Sequence, residues 1–368
     1  MRPDLKYWVA FGRIPGVGRA RLQLLERRFG DLETAWSAPA PELLAAGLDQ
    51  RTVSSIVQRR GRISPDQEME RLERLGVQAF TWHDPGYPPL LREIHDLPPV
   101  LYVRGQLTEA DQTAVAVVGT RRPTAYGRQA AEELTWGLAR AGITIVSGLA
   151  RGIDAIAHRA AIEAGGRTIA VMACGLDLVY PPEHARLARE VMEHGALVSD
   201  YPLGTTPRAD YFPRRNRIMA GLGLGVLVVE GDMTSGALNT ARWAVEQDRE
   251  VFAVPGSIFS PQSRGPHWLL QQGAKLVQTV EDVLEELNLT LVPHRPSPAA
   301  PTANGDTEAA VLRHMGREPR HVDEVCRLSG LPIATVSSAL AMLELKGLVK
   351  QVGIMTYVRA HSLSGGGR

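Results

Sequence analysis

The sequence predicts an α/β protein whose body is a mainly parallel sheet covered by helices. Three observations carry that expectation. Between residues 114 and 287 short runs rich in Val and Ile recur: AVAVVG, ITIVSG, TIAVMAC, ALVSD, GVLVVE, EVFAVPG and AKLVQ. They are mostly unalternated, as expected of strands buried on both faces. Helix-like stretches such as GRQAAEELTWGLARAG and ALNTARWAVEQD separate most of them, and strand–helix repetition builds a parallel sheet with helices on its faces.

Residues 1 to 62 read as a small all-α domain broken at IPGVG (Ile14 to Gly18), at Gly30 and at Ala38 to Pro41. IPGVGRARLQLLERRFG places a Gly-x-Gly turn before an amphipathic basic helix, as a helix-hairpin-helix does. Gly16, Gly18 and Arg19 are therefore a candidate secondary DNA contact, made through backbone N–H groups and phosphate. A glycine turn kept purely for geometry fits equally well. From about residue 65 the texture changes: PDQEMERLERLG is helix-like, and VQAFTW, a Pro-rich passage and LYVRG follow. The sheet domain is placed at 65–292. Pro293, Pro296, Pro298 and Pro301 then mark an extended linker over 293–306. Residues 307–360 read helix, helix, helix, wing, a winged-helix pattern, and 361–368 read as a disordered tail. Its presumed recognition helix offers Thr335, Ser337 and Ser338, with Lys346 only at its end. Sequence readout needs bidentate side chains, so a protein contact or a weak DNA contact is expected there.

A chain of 368 residues, 44% of them hydrophobic, can build two or three such domains. The 41 Lys and Arg nearly balance the 40 Asp and Glu, which argues against an indiscriminate, histone-like coat on DNA. Cys174 and Cys326 stand far apart, so neither a disulfide framework nor a Cys-based zinc site is expected. MRPDLKYWVAFGRIPG has no apolar signal region, and no apolar run approaches a membrane span. The cytoplasm is the expected location, with no membrane partner.

Ligands of open parallel sheets bind beyond the carboxyl ends of the strands. There the sequence offers Gly119-Thr120-Arg121-Arg122, then Ser147-Gly148-Leu149-Ala150-Arg151-Gly152, then Cys174-Gly175. Glu230-Gly231 with Ser235-Gly236, and Pro255-Gly256-Ser257, complete the series. Glycine admits close backbone approach, and helix N-termini favour anions. Any one such turn needs glycine anyway; the recurrence, with Arg in two of the turns, points to a phosphate-rimmed crevice. No nucleotide cofactor is expected. GTRRPTAYG lacks the dinucleotide fingerprint, Gly221 to Gly225 precedes a strand instead of following one, and no P-loop occurs.

Residues 207–217 put Arg208, Arg214, Arg215 and Arg217 beside Tyr211 and Phe212, just before a helix. Cations at a helix N-terminus oppose the macrodipole unless an anion lies between them. Arginine forks suit phosphate and aromatic faces suit unstacked bases, so single-stranded nucleic acid fits this stretch. Ion pairs with Asp200, Asp210 or Glu230 around a buried Phe212 are the alternative. Catalytic signatures are missing: the histidines, His158 and His184 among them, form no HExxH. Ser147, Ser199 and Ser235 sit in no G-x-S-x-G, and nothing pairs Asp154, Asp177, Asp200 or Glu230 for acid–base work.

Taken together, VAVVGTRRPTAYG, SGLARGIDAIAH, TIAVMACGLDLVYPPEH, SDYPLGTTPRADYFPRRNRIMAGL and VLVVEGDMTSGALNTARWAVEQDREVFAVPG resemble the DNA-processing protein A (DprA/Smf) family. The likeness is dense from about 80 to 290 and looser towards both ends. It implies an extended Rossmann-like domain, an N-terminal SAM-like helical domain and a C-terminal winged-helix domain. It also implies a homodimer that binds single-stranded DNA without sequence preference, protects incoming DNA in natural transformation and loads the recombinase RecA, with no catalysis and no cofactor. Weak contact with double-stranded DNA at the N-terminal hairpin is compatible with it. Gly119, Thr120 and Arg121 match the family's phosphate-contacting turn, Phe212 its base-stacking aromatic, and Arg215-Asn216-Arg217 its Arg-Asn-Arg segment. A lysine that some members use for DNA contact is Ala209 here, with Arg208 beside it as the replacement. The expected interface is thus Gly119, Thr120, Arg121, Arg122, Gly148, Arg151, Arg208, Phe212, Arg214, Arg215, Asn216, Arg217, Ser235 and Gly236. Two rivals are a nucleoside-monophosphate phosphoribohydrolase of the LOG type, whose PGGxGTxxE motif GDMTSGALNTA lacks, and a nucleotide-sensing scaffold acting through its winged helix.

Overall fold

The computed structural model describes residues 4–289, 305–316 and 318–359. The expected linker, apart from Gly305 and Asp306, and the expected tail lie outside these residues. The chain divides into two compact units, Met1–Val292 and Pro293–Arg368.

In the first unit the described residues form a nine-stranded sheet. Its strands are β1 (Val77–Thr81), β2 (Val100–Gly105), β3 (Ala114–Val118), β4 (Thr144–Ser147), β5 (Thr168–Val171), β6 (Gly195–Ser199), β7 (Gly225–Val228), β8 (Glu250–Ala253) and β9 (Lys275–Leu276). Their order across the sheet is β1-β2-β6-β5-β4-β3-β7-β8-β9. From β6 to β9 every neighbouring pair is parallel, and β2 and β1 add antiparallel at the β6 edge. The runs read from sequence are thus the parallel strands. VQAFTW and LYVRG, whose pairing the residue pattern does not disclose, extend the sheet.

The unalternated runs are buried on both faces, as their composition requires. Val115 and Val117 pack with Ala131, Leu134 and Leu138 of the helix Ala125–Arg140 and with Ile153 and Ala157 of the helix Ile153–Glu163. Ala116 and Val118 face the other way, against Met219 of the helix Tyr211–Leu222 and Ala237 and Ala241 of the helix Gly236–Glu246. The terminal strand β9 differs from the run that announced it: only Lys275 and Leu276 pair, and both are exposed. It forms the sheet's outer edge, where one face has no cover to require apolar residues.

Six helices, from Leu5–Gly12 to Pro65–Arg74, precede the sheet. Asp31 and Asp49 cap two of them by accepting from Thr34 N and Thr52 N. Their apolar residues Trp8, Phe11, Leu22 and Leu25 share one buried cluster with Tyr102 of β2 and with Leu187 and Val191 of the helix Ala185–His194. The helical segment and the sheet therefore bury one continuous core.

The second unit is a winged helix: helices Asp306–Arg313, Val322–Ser329 and Ile333–Leu345 pack around Val311, Val325, Val336 and Leu340. Strands Val349–Gly353 and Thr356–Arg359 form the antiparallel wing, with Arg320–His321 paired beside them. Lys346 is held by Glu308 at 2.6 Å. Among the described residues no single helix is long and apolar enough to cross a membrane.

From β3 the chain crosses to β4, β5 and β6 on one side, then returns to β7, β8 and β9 on the other. β3 and β7 lie side by side, Val118 opposite Val228, and their following helices leave in opposite directions. That is the switch point where an open sheet leaves a crevice beyond its carboxyl ends.

Candidate functional site

At this switch point lies a groove of about 730 Å³. The turn after β3 supplies Gly119, Thr120, Arg121 and Arg122; the turn after β7 supplies Asp232, Thr234, Ser235 and Gly236. Arg208, Phe212, Arg215 and Asn216 close it from the helix Tyr211–Leu222 and the segment before it, with Tyr180 and Asp154 completing the wall. Thr120 N donates to Glu230 O at 2.7 Å, which ties the two turns together.

The glycines serve packing more than ligand approach. A Cβ on Gly119 would lie 2.5 Å from Ile153 Cγ1, one on Gly148 2.4 Å from Arg215 Nη1, and one on Gly175 2.7 Å from Pro202 O. Protein atoms fill the side-chain position of each, while Gly119 still lines the groove with its backbone. Gly236 is different, with nothing within 4 Å of its missing side chain. It opens the helix Gly236–Glu246, capped by Ser235, which has no acidic residue in its first turn. The positive end of that helix dipole faces the groove. The helix after β3 offers no such end, because the Glu230 carboxylate already accepts from Thr124 N and Thr124 Oγ1 at 2.9 and 2.6 Å.

The arginines of 208–217 divide by direction. Arg215 is 4% exposed and donates through Nη1 to Gly148 O at 2.8 Å and to Val171 O. Burial lowers its pKa below the ordinary guanidinium value, while Asp154 opposes that shift. Asp154 is itself pushed above the usual carboxylate range by burial, against Arg215 and the N–H groups of Ala150 and Gly148. Arg215 therefore forms a fixed positive floor whose charge reaches the groove. Asn216 donates to Gly236 O and Asn239 Oδ1, fastening the two helices at the site. Arg217 points elsewhere: it is buried between Asp200 at 2.6 Å and Asp96 at 3.2 Å, the ion-pair alternative. Arg214 is exposed and does not line the groove.

Above the floor, Arg121 lies 5.7 Å from the centre of the Phe212 ring, and Phe212 lies 5.6 Å from Tyr180. This aromatic step with a cation over it is half-exposed. Tyr180 is 42% exposed and carries no basic neighbour in sequence, so the arginine–aromatic signal that marked Phe212 passed over it. Arg208 pairs with Asp210 at 3.1 Å and lies over Tyr211, which stacks on Tyr201 at 4.4 Å. Arg151 pairs with Glu183 and lies outside the groove lining, as does Gly148.

Gly16, Gly18 and Arg19 do not line the groove either. Gly16 takes φ of +89° and Gly18 caps the helix Arg19–Phe29. Of the residues weighed for catalysis, Ser235 and Asp154 line the groove, and several others are held in packing roles. Ser147 Oγ donates to Val117 O and Ser199 Oγ to Cys174 O, and His158 is buried against Thr168 Oγ1, its pKa pushed down to about 3 by burial. Among the described residues no three His, Cys, Asp or Glu side chains gather as metal ligands would.

Comparison with known proteins identifies the family and the fold. The model for DNA recombination-mediator protein A matches residues 78–288, and that for the DprA winged helix domain matches 295–353. Protein Smf of Synechocystis is 35% identical over 96% of this chain and 98% of its own length. Protein Smf of Escherichia coli is 45% identical over 72% of this chain and 73% of its own. Among solved structures, DNA processing protein A of Streptococcus pneumoniae superposes with a TM-score of 0.66 at 35% identity, covering 76% of this chain and 97% of that one. DNA processing protein A of Helicobacter pylori, whose structure addresses its single-stranded DNA binding mode, gives 0.52 at 30% identity, covering 58% and 95%.

Proposed function

The chain belongs to the DNA recombination-mediator protein A family, and on that premise we propose that it holds single-stranded DNA in the β3–β7 groove without reading its sequence. One observation carries the reading: Arg121, the buried Arg215 and the open N-terminus of Gly236–Glu246 share a groove with the Phe212–Tyr180 step. Phosphates meet Arg121, Arg122 and the Ser235-Gly236 turn, with Arg215 fixing the potential beneath them. Unpaired bases stack on Phe212 and Tyr180, faces that accept any base. The wall offers no set of forks aimed at base edges, so affinity comes from backbone charge and stacking.

The same reading makes the protein a mediator that keeps incoming strands and passes them to RecA, works as a homodimer and performs no reaction on the strand. The Streptococcus pneumoniae protein named for DNA processing and the Helicobacter pylori protein studied for its single-strand binding support the part of this reading that concerns single-stranded DNA. The test is titration of oligo-dT, duplex and nucleoside monophosphates, with salt varied, on the full chain and on Arg121→Ala/Arg122→Ala. Oligo-dT is expected to bind best, and each lost phosphate contact to flatten the log–log salt slope by about 0.7. Unchanged affinity and slope in the folded variant would sink the groove as the site. Release of free base from a monophosphate, or tighter binding of monophosphates than of oligo-dT, would favour the hydrolase or sensor instead.

A further inference from the structure

A second cluster of arginines gathers in the N-terminal helices, beside the segment that follows β6. Arg13, just past the end of the helix Leu5–Gly12, and Arg59 and Arg62, at and beyond the end of the helix Gln50–Arg60, line an open pocket of about 460 Å³ with Gln58 and Ile63. Helix C-termini welcome cations, which accounts for Arg59 in the last turn of one helix and Arg13 just past the end of the other. It does not account for three arginines lining one open space. Arg60, the neighbour that does serve packing, turns away to donate to Trp36 O and Ala38 O. Arg59 and Arg62 are exposed, and among the described residues neither forms an ion pair. The carboxylates nearby are occupied: Glu68 lies 3.6 Å from Arg13 and 3.2 Å from Arg71, and Asp177 accepts from Gly204 N. Arg13 shares Glu68 with Arg71, while Arg59 and Arg62 have no carboxylate of their own; like charges so placed repel one another, and an anion between them relieves that.

The pocket is linked to the groove by short, defined steps. Arg13 Nη1 donates to Leu203 O in the segment after β6, and that segment runs on to Arg208 at the groove wall. Leu203 and Arg208 are five positions apart, at most about 18 Å of extended chain. Measured across the sheet, β6 stands three places from β3, roughly 14 Å at ordinary strand spacing. A strand held along its backbone spans such a distance in a few nucleotides.

We propose that single-stranded DNA leaving the β3–β7 groove crosses the 203–208 segment and lays further phosphates against Arg13, Arg59 and Arg62. The N-terminal helices are then an extension of the binding track. This rests on the groove reading and adds a second stretch of contact to it, made by different residues from those of the Gly16–Arg19 turn.

The experiment compares the full chain with Arg59→Ala/Arg62→Ala, using a short oligo-dT of about six nucleotides and a long one of about twenty. Both substitutions lie on exposed side chains, and a circular dichroism melt checks that the variant is folded. The short oligonucleotide is expected to bind both proteins with the same affinity and salt slope. The long one is expected to lose about 1.4 in log–log slope on the variant, two contacts at about 0.7 each. An unchanged slope with the long oligonucleotide overturns the extension. So does equal weakening of both lengths, or a loss confined to duplex. Failure of the native chain to bind the short oligonucleotide overturns the groove reading itself, which separates the two claims.

Discussion

Replacing Arg215 by alanine tests whether the floor of the groove is a buried cation that its neighbours depend on. The side chain is 4% exposed, bonds two backbone carbonyls and stands beside Asp154, whose carboxyl is also buried. Alanine leaves Gly148 O and Val171 O without this donor and Asp154 without its cation. Leaving buried hydrogen-bond acceptors without their partner costs about 1–3 kcal/mol, and more where a charged group is involved. Against a total stability of roughly 5–15 kcal/mol, that is a large fraction. Urea unfolding followed by tryptophan fluorescence reads it cleanly, since Trp8, Trp36, Trp82, Trp136, Trp243 and Trp268 all lie in the first unit. The cost also depends on pH, with a definite sign. A carboxyl whose folded pKa is raised binds its proton more tightly when folded, so its contribution falls as pH rises from the unfolded value through the folded one. Loss of Arg215 raises Asp154 further and carries that decline to higher pH. The variant is therefore expected to lose more stability at pH 8 than at pH 5. A loss below about 1 kcal/mol, or one equal at both pH values, would refute this coupling of Arg215 to its neighbours and to Asp154.

Two further substitutions separate binding from folding. Phe212→Ala should weaken oligo-dT binding by about 1–3 kcal/mol while Phe212→Trp retains it, as stacking requires; equal affinity of the alanine variant and the native chain in fluorescence anisotropy would remove Phe212 from the strand's path. Arg217→Ala should lower stability by about 3–5 kcal/mol through the stranded Asp200, yet leave the salt slope of oligo-dT binding unchanged in the folded fraction; a flattened slope would show that Arg217 meets phosphate after all.

Much of the site could be read along the chain because the residues that form it are grouped by strand ends. The turn Gly119 to Arg122 follows β3, and Ser235-Gly236 follows β7, and both reach the groove. The glycine turns were legible as turns, but their purpose was not. Whether the space beside a glycine is empty or filled is decided by what packs there, and at Gly119 and Gly148 it is filled by Ile153 and Arg215. Tyr180 joined the groove from a segment with no arginine to flag it, because its partner Phe212 is near only in space. The N-terminal helices, too, read as separate while their apolar faces complete the core of the sheet.

The sequence by itself determined the parallel sheet, the winged helix and the absence of a dinucleotide fingerprint, since burial on two faces and turn chemistry are written in residue type and order. It also determined that arginine and aromatic residues crowd one helix start. Only the tertiary structure decided which of those arginines serve the groove. A helix advances about 100° per residue, so side chains two apart point to nearly opposite sides. Arg215 thus turns inward to Gly148 and the groove, and Arg217 to Asp200 and Asp96, a division no reading of Arg-Asn-Arg can supply.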